Sequence, residues 1–438
     1  MKQRIYFLVT GALMLMVMLS CLIFTRRQVD AAEINISTPD SYKTVQGGDS
    51  GQPASNMATA DETTFVTFTT PDQTYLGYHH FTFTDEVEPD SIVAMQILIN
   101  FRGPVKKTQT WTWRIFDWQT GKYKKFGNNK AVTDAGEWTE LVFNIKKRFY
   151  RYVEPGTREI LLQVRSNNAK ADMELDYEAV VVFSHDTTAP PAPILPGDWD
   201  TFAPETSWQL QLNGTIDTTF DVKMYDIDLF DTPESTIAFL KSQGRKVICY
   251  FSAGSYEDWR PDANQFPGYL IGKPLSGWPH EWWLDIRWFP VDGPLSRIML
   301  ARLDLAVAKG CDGVDPDNVN AYTNKSGFLL EYQDQLEYNI WLANEAHKRG
   351  LAVALKNDLN QVAELEPYFD FSVNEQCFQY EECELLLPFV DNNKAVFGVE
   401  YENKKEDFCE QANSMNFDFL IKDYDLNALP YFYCRDFK

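Results

Sequence analysis

Gly310-Cys311-Asp312-Gly313-Val314-Asp315-Pro316-Asp317-Asn318 runs from a helix-stopping glycine through a short apolar segment into acids and an amide. The pattern predicts a strand whose end carries polar groups, and carboxylates gathered where water is scarce mark a cleft. Upstream, Leu295 to Lys309 has the period of a helix ended by Gly310. Downstream, Gln333 to Arg349 is an amphipathic helix stopped by Gly350, and Leu351 to Asn357 reads as the next strand. Strand and helix therefore alternate on both sides of the acids.

The alternation extends outward. Val222 to Asp228, Lys246 to Phe251, Trp282 to Ile286, Phe369 to Glu375, Ala395 to Tyr401 and Asp418 to Ile421 read as strands. Helices are expected at Pro233 to Ser242 and near Gln361 to Leu365, Glu382 to Phe389 and Lys404 to Met415. About eight such units after Trp208 predict a (β/α)8 TIM barrel, with an open doubly wound sheet as the alternative. The loop from Ser252 to Glu281, rich in Gly, Pro and Trp, is longer than an ordinary connection and is expected to belong to a site.

Polar residues recur at the C-terminal ends of these strands: Asp226 and Asp228, Ser255 and Glu257, Asp285, Asp315 and Asp317, Lys356 and Asn357, Glu375, Glu400, and Lys422 with Asp423. A lone Asp after a strand is commonly a helix cap. Recurrence at nearly every strand predicts one shared ring. The five histidines are scattered, and neither a dinucleotide fingerprint nor a nucleophile elbow is present, so no metal and no cofactor are expected. Paired carboxylates suit glycoside hydrolysis, in which one protonates the leaving oxygen and the other attacks the anomeric carbon or activates water. Lys356 is placed to hold one of them ionised.

Seven motifs carry a resemblance: Tyr225-Asp226-Ile227-Asp228, Cys249-Tyr250-Phe251-Ser252-Ala253-Gly254-Ser255, Trp283-Leu284-Asp285-Ile286-Arg287, Cys311 to Asn318, Leu355-Lys356-Asn357, Asn374-Glu375-Gln376-Cys377 and Glu400-Tyr401. Over residues 208–435 the chain resembles glycoside hydrolase family 114, the endo-α-1,4-polygalactosaminidases. The resemblance implies a TIM-barrel enzyme that cuts internal α-1,4 bonds of galactosamine-rich exopolysaccharide, with Asp317 as nucleophile and Glu375 as acid/base. Asp226, Asp228, Tyr250, Asp285, Asp315, Asn318, Lys356, Glu400 and Tyr401 are the expected substrate-binding set, Asp315 in a supporting part. Of Tyr250, Trp259, Trp278, Trp282, Trp283 and Tyr401, some should line sugar subsites. Two rival readings stay open, a non-catalytic carbohydrate-binding surface protein and a glycosidase for another α-linked polymer.

The rest of the chain divides by composition. Residues 1–32 place Lys2 and Arg4 before an apolar run from Ile5 to Phe24, the pattern of an export signal or an uncleaved membrane anchor, and imply a secreted or surface-attached protein. Residues 33–184 alternate apolar and polar runs, as at Thr64 to Phe68, Ile97 to Phe101 and Trp111 to Phe116, and predict an all-β, jelly-roll-like sandwich. Its Trp111, Trp113, Trp118, Tyr123, Trp138, Tyr150 and Tyr152 make it a candidate carbohydrate-binding module, against the commoner fate of such rings in a core. Residues 185–207 form a Pro-rich linker.

All cysteines but Cys21 lie downstream of Arg245, and an even set in an exported chain implies disulfides, with Cys377–Cys383 and Cys409–Cys434 expected from their closeness. The net charge of -23 excludes a nucleic-acid partner. Residues 208–438 hold 38 Asp and Glu against 20 Lys and Arg. An acidic surface is compatible with the cationic galactosamine polymer that the resemblance implies.

Overall fold

The computed structural model describes residues 32–84, 87–185, 190–194, 197, 199–290 and 293–437. The export-signal or anchor segment, Ala32 apart, lies outside them.

The first domain is two antiparallel sheets. One holds β1 (Ala32–Ser37), β3 (Gly48–Asp49), β4 (Val66–Thr69), β6 (Ile92–Arg102), β9 (Trp138–Ile145) and β11 (Met173–His185), in the order β3-β4-β11-β6-β9 with β1 also on β11. The other runs β2 (Ser41–Gln46), β5 (Leu76–Thr82), β10 (Glu159–Ser166), β7 (Trp111–Asp117) and β8 (Lys122–Asn128). Residues two apart share a strand face. Trp111 and Trp113 therefore point together into the core between the sheets, both fully buried. Trp138 is covered by the Arg102 guanidinium, and Trp118 packs edge-on against Phe116. The rings named as a candidate sugar platform are thus largely engaged in packing, and Tyr150 is the one of them with substantial exposure.

The second domain is built on eight parallel strands: β12 (Trp208–Gln211), β13 (Met224–Asp228), β14 (Lys246–Ser252), β18 (Gly313–Asp317), β19 (Ala352–Lys356), β20 (Phe371–Glu375), β21 (Val396–Glu400) and β22 (Asp418–Ile421), paired in that order. A short antiparallel β23 (Phe432–Tyr433) follows β22. The sheet is curled, and side chains link its first and last parallel strands. Trp208 Nε1 donates to the Asp418 carbonyl at 2.8 Å, and Lys422 Nζ reaches Gln209 Oε1 at 3.2 Å and the carbonyls of Asn427 and Ala428.

Helices α1 (Glu234–Ser242), α2 (Pro294–Lys309), α3 (Tyr332–His347), α4 (Val362–Leu365), α5 (Leu387–Asp391) and α6 (Lys405–Ser414) alternate with the strands. Their ends follow sequence rules. Pro294 opens α2, Gly310 ends it at φ 84°, and Glu331 with Asp334 forms a reciprocal cap on α3.

One expectation is corrected. Trp282 to Ile286 is not a strand of the parallel sheet. β17 (Glu281–Leu284) instead pairs antiparallel with β15 (Ser255–Glu257) and β16 (Ile271–Pro274) in a small sheet within the long loop. The eighth parallel strand is β12, whose four residues are too few to show a period. Described residues of the Pro-rich linker pack on the second domain. Trp199 stacks on His347 and donates to Asp370, Phe202 is buried, and the Pro191 carbonyl accepts from Tyr368.

Both expected disulfides form, together with Cys249–Cys311, which joins β14 to the turn before β18. The domains share apolar packing: Ala94, Leu98, Val181 and Phe183 of the sandwich lie in one buried cluster with Trp288 and Phe289.

Candidate active site

Three consecutive strands end in the groups that matter most. Lys356, last in β19, stands between Asp317, last in β18, and Glu375, last in β20. Its Nζ lies 3.7 Å from Asp317 Oδ1, 3.7 Å from Glu375 Oε2 and 3.3 Å from Asp315 Oδ2. The oxygens of Asp317 and Glu375 that face Lys356 are therefore no more than twice 3.7 Å apart. Burial alone would discharge the lysine, but Asp315, Asp317 and Glu375 hold its pKa well above the ordinary range.

Each of the two outer acids has its own donors. Tyr250 OH donates to Asp317 Oδ2 at 3.0 Å, and the Asn318 N–H to Asp317 Oδ1 at 2.7 Å. Tyr401 OH donates to Glu375 Oε1, and Asn357 Nδ2 lies 3.4 Å from Glu375 Oε2. Burial pushes the Glu375 carboxyl up, but Lys356, Tyr401 and Asn357 outweigh it and hold the group below the usual range. Burial, then the facing carboxylates, raises both phenols, so Tyr250 and Tyr401 remain donors.

These residues floor a cavity of about 520 Å³, walled by Asp228, Glu257, Trp259, Arg260, Trp278, Glu281, Trp283 and Tyr424 among others. A second hollow of about 320 Å³ shares Asn320, Asn357 and Glu375 with it and extends to Tyr380 and Glu382. The groove thus continues past Glu375 on both sides.

The expected binding residues separate by position. Asp228, Tyr250, Asn318 and Lys356 line the cavity, and Tyr401 reaches it through Glu375 and by stacking on Tyr424. Asp226 and Asp315 lie beneath the floor, fully buried. Asp285 is elsewhere. It pairs with Arg287 at 2.6 Å and accepts from Gln96 of the sandwich at 2.8 Å, because its strand belongs to the small antiparallel sheet and its far end turns toward the first domain. Glu400 is also withdrawn, its carboxylate accepting from the Phe378 N–H and Asn403 at 2.8 Å each. Trp259, Trp278 and Trp283 face the cavity, whereas Trp282 packs near Tyr256.

Glu281 and Arg260 were not among the expected site residues. Arg260 holds Asp228 at 2.7 Å and Glu257 at 2.8 Å. Glu281 is buried, and its hydrogen-bond partner among the described residues is Ser255 Oγ, at 3.0 Å. Burial, then Glu257, raises its carboxyl to about 7. It opens β17, directly opposite Glu257 of β15 in the small antiparallel sheet.

Two flanking acids, phenol donors and a buried cation are the parts of a glycosidic cleft. Residues 188–437 match glycoside-hydrolase family GH114. The chain belongs to GH114. Residues 53–177 match the N-terminal glycosyl-hydrolase-114-associated domain, so the sandwich too is of a kind found with GH114. The crystal structure of Aspergillus fumigatus Ega3 in complex with galactosamine is similar at 42% identity and a TM-score of 0.50, covering 54% of this chain and 100% of that one. The glycoside hydrolase domain of PelA from Pseudomonas aeruginosa is similar at 12% identity and a TM-score of 0.41, covering 52% of this chain and 97% of that one. An uncharacterised protein of Deinococcus radiodurans is 27% identical over 227 residues, 45% of this chain and 70% of that protein.

Proposed function

We propose that this GH114 hydrolase cleaves internal α-1,4 bonds of a galactosamine-rich exopolysaccharide, with Asp317 as nucleophile and Glu375 as acid/base. The observation that carries the substrate is the 42% identity to Ega3, which was solved with galactosamine. The cleft supports it independently. Asp228 and Glu257 are ion-paired with Arg260, and Glu257 also lies 3.9 Å from Arg302, while Glu281 has no ion-pair partner among the described residues and faces the cavity as an acceptor for a sugar ammonium. A groove continuing on both sides of the acids suits attack within a chain rather than at its end.

In this reading Asp317, aimed by Tyr250 and the Asn318 N–H, attacks the anomeric carbon, and Glu375 protonates the leaving oxygen and then activates water. Lys356 and Tyr401 pull Glu375 toward its anion, so the acid form is available on the acidic side, and kcat/KM should fall as pH rises through an acidic pKa. Eight parallel strands with joined ends support a (β/α)8 barrel, and two facing antiparallel sheets a jelly-roll-like sandwich. The leader pattern and three disulfides support secretion or surface attachment.

Release of reducing ends from polygalactosamine tests the reading, with the native chain active and Asp317→Asn and Glu375→Gln each slower by about a thousandfold. Preference for a fully acetylated or neutral glycan would overturn the substrate. Azide giving a glycosyl azide of inverted anomeric configuration with Asp317→Gly and one of retained configuration with Glu375→Gly supports the assignment of roles, and the opposite pair of products would reverse it.

A further inference from the structure

Asp226 has no part in the site as described so far, Asp315 only its contact with Lys356, and burying both is costly. Both side chains have no exposure to solvent. Asp226 has no hydrogen-bond partner on either carboxylate oxygen among the described residues, and Asp315 has none on Oδ1. Each precedes by two residues an acid of the cavity, Asp228 on β13 and Asp317 on β18, and so points to the same strand face one layer deeper. Only β14 separates their strands. The charged groups facing this place are Lys356 from β19, Asp317 from β18 and Glu375 from β20, with the Tyr250 ring of β14 lying 5.2 Å from Lys356 Nζ. Lys356 contacts Asp315, Asp317 and Glu375, and makes no such ion pair with Asp226.

Two ionised carboxylates side by side, with three bare oxygens and one lysine already shared three ways, is an arrangement an interior does not sustain. One proton between them removes a charge and gives the facing oxygens a hydrogen bond. The carboxyl farther from the lysine keeps it.

We propose that Asp226 and Asp315 share one proton, held on Asp226, and that Asp315, fixed in this way as an anion, positions Lys356 between Asp317 and Glu375. Burial, and next the charge of Asp315, holds the Asp226 carboxyl well above the ordinary range, and burial raises Asp315 only to about 6 against the pull of Lys356, so at neutral pH Asp315 is the anion of the pair. Asp226 is a positioning residue. The inference rests on the carboxylate pair as the reacting groups, but not on which sugar is cut.

The test compares the full-length native chain with Asp226→Ala, Asp226→Asn and Asp315→Asn. Asp226→Ala should lower kcat about a hundredfold with KM changed less than about threefold. Asp226→Asn, a neutral side chain that still donates to Asp315, should recover kcat to within about tenfold of native with the acidic limb of the pH profile in place. Asp315→Asn, which removes the anion, should not recover. The proposal is overturned if the two Asn variants lose kcat equally, or if Asp226→Asn moves the acidic limb by about one pH unit. An infrared difference spectrum of native against Asp226→Asn at neutral pH decides the matter without turnover. A protonated-carboxyl band lost in the variant supports the proposal, and loss of a carboxylate band instead overturns it. Should native protein leave polygalactosamine uncut, the substrate reading fails while the infrared result still judges this one.

Discussion

Among the described residues Glu281 is a buried cavity acid with no arginine or lysine in ion-pair contact, whereas Asp228 and Glu257 both pair with Arg260. With its carboxyl raised to about 7 by burial and by Glu257, it is neutral below that pH and anionic above it. Recognition of a sugar ammonium should therefore strengthen as pH rises through about 7, for as long as the amine keeps its proton. Glu281→Gln is expected to raise KM for polygalactosamine about tenfold above that pH and to flatten the rise. An unchanged KM–pH curve would remove Glu281 from substrate recognition. This residue shows where sequence reading ran out. That Asp317, Glu375 and Lys356 are neighbours was legible because strand ends cluster wherever parallel strands run side by side, while their roles, and Asn318, came from the family resemblance. Depth was not legible: Asp226 and Asp315 share a strand face with Asp228 and Asp317, and a period of two names the face without saying which residue reaches the opening. Asp285 and Glu400 showed the same end-of-strand position and went to other partners.

The loops leaving β18, β19 and β20 all turn through left-handed backbone, at Asn318 (φ 63°), Asn357 (φ 52°), Asp358 (φ 46°) and Gln376 (φ 68°). Asn and Asp tolerate this region best among side-chain-bearing residues, and sharp turns immediately after the acids keep those side chains at the mouth of the sheet. One of these turns has a pH signature. Asp358 is buried, its Oδ2 accepts from Asn339 at 2.9 Å, and burial raises its carboxyl to about 8 against the pull of Tyr322 and Asn339. Between the ordinary carboxylate pKa and about 8 the folded chain holds a proton that the unfolded chain has released, so this group makes stability fall as pH rises across that window. Asp358→Asn should melt several degrees above native at pH values past about 8, with the gap narrowing toward about pH 4, as scanning calorimetry would measure. A gap independent of pH would show that Asp358 folds already ionised. At this scale the helices were legible, since their stops at Gly310 and Gly350 and their apolar periods are local. Strand membership was less so. Glu281–Leu284 has the composition of a parallel strand, but its partners lie within one loop, and the four residues of β12 declare themselves only by pairing with β13.

Across the whole molecule, the buried contact between domains changes what a site residue can mean. Asp285 sits in the same local sequence pattern as the acids of the cleft, yet it is fully buried against the sandwich, bonded to Arg287 and to Gln96, while the Arg287 guanidinium lies 4.7 Å from the Phe183 ring and Phe183 meets Trp288 edge-on. The two readings of Asp285 give opposite results. As a substrate ligand, its loss would raise KM and spare stability. As a joint between domains, its removal takes from the buried Arg287 its bidentate partner and leaves the weaker pull of Asp334 and Glu331, at a cost of about 3 kcal/mol. Asp285→Ala is therefore expected to lower the melting temperature by on the order of ten degrees, while KM for polygalactosamine, measured well below the transition, stays within about twofold of native. Because Ala94, Leu98, Val181 and Phe183 belong to one apolar cluster with the second domain, native protein should unfold in a single calorimetric transition, and Asp285→Ala should broaden or divide it. A variant that melts like native protein but binds its polymer more weakly would return Asp285 to the substrate and leave the sandwich a passive neighbour.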